Sequence, residues 1–104
     1  FCSLTHFAPY HFYSGFNRYF YEKVLAEEGF EKIEITSNGN YFEYLAQELH
    51  RLPTIAHTYS ALDLNKTEQK SVKKLKNLLQ KLSENEKHSS ELLCFGYFIL
   101  ARKI

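Results

Sequence analysis

The sequence ends on LLCFGYFILARKI, where apolar side chains fill nearly every position from 92 to 101. A strand with one wet face alternates apolar and polar residues, whereas a strand covered on both faces reads as a continuous apolar run. The Phe, Tyr and Ile content and the central Gly96 favour a strand over a buried helix. Residues 92–101 are therefore expected to form a buried final strand. Such a strand requires partners on its edges and a layer on each face.

The rest of the chain supplies little to meet that requirement. FEKIEIT sets Phe30, Ile33 and Ile35 against Glu31, Lys32 and Glu34 in an imperfect alternation, the signature of a half-buried strand at 30–36, and SNGN then breaks it. FCSL at 1–4 is compatible with the end of another strand. An isolated pair of strands is marginal in water, so further strands are expected upstream of Phe1. The lack of any methionine and the apolar opening FCSL fit a segment of a longer protein.

Between the strands lie three helical patterns. Asn17 is suited to cap a helix at 18–28 that presents Tyr21, Val24 and Leu25 on one side and stops at Gly29. Phe42, Leu45, Ala46, Leu49 and Leu52 recur with helical spacing over 41–52, and Pro53 is expected to end that helix. After a mixed connection at 54–65, Val72, Leu75, Leu78, Leu79 and Leu82 form the stripe of a second amphipathic helix at 66–82, followed by the polar, loop-like SENEKHSSE.

Size and charge narrow the function classes. A chain of 104 residues suits one domain, and a net charge of +1 gives the whole molecule no bias toward a polyanion. Charge is nonetheless concentrated: seven lysines face three glutamates between 66 and 88, a local +4. Only aliphatic residues are interleaved with them, so the stacking platform of a nucleic-acid binder is missing and no nucleic-acid partner is expected. No apolar run is long enough for a membrane span and no signal-peptide layout opens the chain, which points to the cytoplasm. Cys2 and Cys94, without a CxxC pair, are expected to be buried free thiols; a disulfide between them is the alternative.

Nine of the first twenty-one residues are aromatic, and this stretch carries a resemblance. His6-x-x-Pro9, the aromatic cluster with Tyr13, Phe16-Asn17 before a helix, EKVLAEEGF at 22–30, KIEIT at 32–36 and the ending LLCFGYFILARK together resemble the C-terminal third of class I S-adenosylmethionine-dependent methyltransferases, in particular the small type 11-like group. The resemblance covers about residues 1–50 and 91–103.

What the resemblance implies is an α/β fold: the C-terminal part of a Rossmann-like methyltransferase sheet. FCSL would be the end of strand five, 5–16 the loop over the substrate pocket, 18–28 the following helix, and 30–36 and 92–102 strands six and seven, paired antiparallel at the sheet edge. Residues 41–88 would be a helical insertion, and 1–104 a single partial domain. No GxGxxG turn occurs in the chain, so the N-terminal half that binds S-adenosylmethionine would be absent and no residue here is assigned to the cofactor.

The implied partner is a small-molecule methyl acceptor. His6 and His11, flanking Pro9, are the candidate catalytic residues, since a neutral imidazole can take a proton from an acceptor hydroxyl or amine; satisfying loop backbone groups is the alternative role. Pro9, Tyr10, Phe12 and Tyr13 are candidate substrate contacts, the rings also being explicable as core packing. Arg18 would hold an anionic substrate group or lie in solvent. His50, Arg51 and His57 are candidates for a substrate cap on the insertion. No metal is expected, because no further ligand at suitable spacing joins the two histidines. The alternative to an enzyme fragment is a small α+β interaction module whose basic helix meets an acidic partner.

Overall fold

The computed structural model describes residues 15–104. Among them are α1 (Arg18–Glu27), β1 (Phe30–Asn38), α2 (Tyr41–Tyr59), α3 (Lys66–Glu84), a short 3-10 turn (Ser89–Glu91) and β2 (Gly96–Lys103). The fold class is α/β, with β1 and β2 in a two-stranded antiparallel sheet. The chain divides into two compact units, one containing α1, β1 as far as Thr36 and Tyr97–Ile104, the other Ser37–Gly96.

In the first unit, Asn17 caps α1 as expected, its side-chain oxygen accepting from the Phe20 amide at 3.1 Å. Phe16, just before the cap, stacks on Phe20 with centroids 4.1 Å apart and meets Tyr21 edge-on at 6.4 Å, an aromatic staple that fixes how the chain enters the helix. Gly29, at φ +84°, adopts the left-handed turn that an L side chain resists, and β1 starts immediately after it. The imperfect alternation of β1 has a local cause. Lys32 sits at φ +50°, so the half-buried positions step from Phe30 to Ile33 before resuming at Ile35 and Ser37.

The Ile104 amide donates to the Gly29 carbonyl at 2.9 Å, and Arg102 lies 3.7 Å from Glu31, tying the ends of the two strands. On β2, Tyr97 meets Tyr21 of α1 at 6.0 Å, so α1 lies against that face of the sheet. Phe98 and Leu100 stand on the opposite face, 65% and 66% exposed. The expectation of a strand buried on both faces is thus corrected: among the described residues only one face of β2 has a covering helix. The strand also begins at Gly96 rather than residue 92, because His88 turns left-handed at φ +58° and the chain coils through Ser89–Glu91 first.

In the second unit, α2 and α3 form a hairpin. Asn40 caps α2 by accepting from the Glu43 amide at 3.0 Å, and its amide group donates to Ser83 Oγ near the end of α3 at 3.0 Å. It is the one buried residue among those described, 8% exposed. Asn65 and Glu68 cap α3 reciprocally, at 2.9 and 3.0 Å.

Pro53 does not end α2, which continues to Tyr59 and removes half of the expected connection at 54–65. A proline inside a helix forfeits one hydrogen bond and costs about 3 kcal/mol. Ile55 and Ala56 beyond it are half-buried, however, and continue the apolar face of the helix. Cys94 is a free thiol, as expected, but only half-buried, with Sγ 3.3 Å from the Gly96 carbonyl.

Candidate functional site

His6, Pro9, Tyr10, His11, Phe12 and Tyr13, together with Cys2, lie outside the described residues. Arg18 is described. It occupies the first turn of α1, where its Nε and Nη2 both donate to Glu22 Oε1, at 3.1 and 3.0 Å. This i,i+4 pair holds the guanidinium along the helix surface.

The hairpin brings together more chemistry than its sequence spacing suggests, as two grooves on its two sides. One, of about 560 Å³, is bordered by Phe42, Ala46, His50, Lys76, Gln80 and Ser83. Lys76 Nζ lies 3.0 Å from His50 Nδ1, joining the two helices through an exposed polar contact. At the mouth, Ser83 Oγ lies 3.3 Å from Glu43 Oε1, so the polar groups engage one another. The second groove, of about 510 Å³, is almost wholly aliphatic: Leu45, Leu49, Leu52 and Ile55 from α2 face Leu75, Leu78 and Leu79 from α3, and Glu48 is the single charged residue on its wall.

The other cap candidates separate. Arg51 pairs with Glu48 at 2.9 Å, whereas His57 Nδ1 lies 2.8 Å from Asp63 Oδ1 in an exposed contact at the far end of α2. His50 and His57 therefore do not share a site. The Asn40, Glu43 and Ser83 corner escapes sequence reasoning, because it joins residues 43 positions apart; the one local signal is the pairing of a cap-type Asn with a Glu three residues later.

Gly39 and Gly29 do not form a cofactor cradle. A Cβ on Gly39 would meet the Phe95 ring at 2.5 Å, and one on Gly29 would meet Lys103 Nζ at 3.2 Å, so the close approach each glycine permits is taken by this chain's own side chains. Among the described residues no three His, Cys, Asp or Glu side chains gather as a metal site, and no helix is long and apolar enough to cross a membrane. Comparison with protein-family models, curated proteins and solved structures gives no match.

Proposed function

We propose that residues 1–104 are the C-terminal, substrate-side portion of a cytoplasmic class I methyltransferase that transfers a methyl group from S-adenosylmethionine to a small-molecule acceptor. The observation that carries this reading is the state of β2. It is an apolar strand paired with β1 among the described residues, with α1 against one face and Phe98 and Leu100 bare on the other. A sheet that continued past β2, with a second helical layer, would bury those side chains. Supporting it are the order helix, Gly29 turn, strand, helical insertion and antiparallel strand, which is the order the resemblance implies.

In this reading the cofactor is held by sequence outside the chain, and the space beside Gly29 and Gly39 is filled by Lys103 and Phe95 of the chain itself. The chain contributes the sheet edge, the aromatic loop over the acceptor and a helical cap. His6 or His11 would accept the proton that an acceptor hydroxyl or amine loses. Orientation of the acceptor by Tyr10, Phe12 and Tyr13 against Pro9, with Arg18 for an anionic group, would supply the larger part of the rate.

The test is calorimetric titration with S-adenosylhomocysteine of residues 1–104 and of the product of the reading frame extended upstream. The extended protein is expected to bind and the 104 residues alone to show no heat. Binding by the shorter chain refutes the division of labour, and failure of the longer one refutes the methyltransferase reading. In the extended protein, His6→Ala or His11→Ala should lower kcat by roughly 10²- to 10⁴-fold if that side chain is the base. Unchanged turnover in both removes the assignment.

A further inference from the structure

Beyond the methyl-transfer reading, we infer that the aliphatic groove of the α2/α3 hairpin is a docking site for an acidic amphipathic helix of a protein partner. On α3, the half-buried Val72, Lys76, Leu79 and Ser83 recur at i, i+4, i+7 and i+11, the row turned toward α2. The neighbouring row, Leu75, Leu78 and Leu82, is left 48%, 48% and 40% exposed. Leu52 of α2 is exposed across the groove from it. Two helices with apolar rows converging on one trough provide the seat for a third, which would enter with residues at i, i+3 and i+7.

Charge identifies the occupant. Lys74 lies four residues before Leu78 and Lys81 three after it, and Lys70 extends the row one turn earlier, so the outer rim beside the exposed leucines is cationic. The opposite rim is Glu48, already paired with Arg51 at 2.9 Å. A second copy of this chain would bring one lysine-rich α3 toward another or onto the nearly neutral α2. Glutamates flanking an apolar helix would instead meet Lys70, Lys74 and Lys81 as leucines fill the trough. The trough is concave, formed by two helices, which suits a cylinder better than a flat anionic bilayer.

The test uses the full chain and fluorescence anisotropy with two labelled peptides of about 18 residues, long enough to be partly helical, each with leucines at i, i+3 and i+7. One carries glutamates beside the leucines and the other lysines. The glutamate peptide is expected to bind at least about tenfold more tightly than the lysine peptide and to weaken as salt is raised to about 0.5 M. The charge reversal Lys74→Glu with Lys81→Glu, at exposed positions that leave the hairpin intact by circular dichroism, should invert the preference. Leu78→Asp should abolish binding of both peptides.

Equal binding of the two peptides, binding indifferent to the reversal, or no binding overturns the inference. So does association with phosphatidylglycerol vesicles in place of the peptide, which would make the groove a membrane contact. A dimer by sedimentation that Leu78→Asp dissolves would assign the groove to a second copy.

Discussion

Gly39 offers the sharpest single test of the hairpin unit. It stands at φ +76° between β1 and the cap of α2, and a Cβ there would lie 2.5 Å from Cδ2 and 2.7 Å from Cε2 of Phe95. Carbon atoms in contact sit at about 3.5–4.0 Å, so the ring must move by roughly an ångström. Retreat is hindered because Phe95 stacks on Tyr44, centroids 5.5 Å apart and 29° between planes, and its amide is bonded to the Asn38 carbonyl at 2.9 Å. Gly39→Ala thus combines a left-handed backbone penalty of about 1–2 kcal/mol with overpacking of about 1–3 kcal/mol, a loss of about 2–5 kcal/mol. Urea unfolding followed by tyrosine signals measures it. In a Phe95→Ala background the clash disappears and the cost of Gly39→Ala should fall to about 1–2 kcal/mol. Gly96→Ala, with nothing within 4 Å of its Cβ, is the control and should stay within about 0.5 kcal/mol. A Gly39→Ala protein as stable as its parent, or an equal cost with and without the Phe95 ring, refutes the reasoning.

The two caps should differ in value. Asn65→Ala removes an exposed cap and should cost about 1 kcal/mol, whereas Asn40→Ala removes a buried cap and the bond to Ser83, for about 2–3 kcal/mol by the same urea titration; equal losses would show that burial adds nothing. Pro53→Ala restores an amide donor in the middle of α2 and should raise the unfolding free energy by as much as about 3 kcal/mol, whereas destabilisation would mean that the proline itself shapes the hairpin. The Glu86 carboxyl is held below its ordinary value, first by the Ser89 amide, then by the Ser89 hydroxyl, and by nearby His88. Because the folded pKa is the lower one, this contribution is fully present above the unfolded pKa and disappears as pH falls through the folded value. Its carboxyl resonance should titrate below the free value of about 4.3, and a midpoint at or above it refutes the bond.

The parts of the fold legible in the sequence are those written in local spacing. Asn17, Gly29 and the heptad-like leucines located three helices because a cap, a stop and a stripe are properties of a few adjacent residues. Pro53 misled because its local penalty was outweighed by residues further along α2 that continue the apolar face. The early end expected for the loop before β2 failed for a similar reason, since Leu92 and Leu93 look strand-like in composition but come just after the 3-10 turn at Ser89–Glu91, which a left-handed His88 precedes. The polar corner at Asn40 and the contact between Lys76 and His50 depend on the antiparallel return of α3, and no window of sequence contains that return. For the substrate site, the residue types and the resemblance supplied the whole case, and of the candidate catalytic and substrate residues named for it only Arg18, in α1, falls among the described positions.

Among the described residues, Phe98 and Leu100 on β2 and the leucine row on α3 are exposed, and these two surfaces call for partners of different physics. A strand is completed by backbone hydrogen bonds and apolar burial, neither of which salt screens, whereas a lysine-rimmed groove gains part of its affinity from charges that salt does screen. Self-association of the 104 residues through β2 should therefore persist or increase at about 0.5 M salt, while occupancy of the groove declines. Phe98→Lys with Leu100→Lys, read by sedimentation velocity, should return the chain to monomer at both low and high salt. Because the substitutions lie in the unit that holds β2, binding of the acidic peptide to the hairpin should be unchanged. If the β2 variant still associates, the bare strand is not what demands a partner, and the argument that the sheet continues beyond this chain loses its main support.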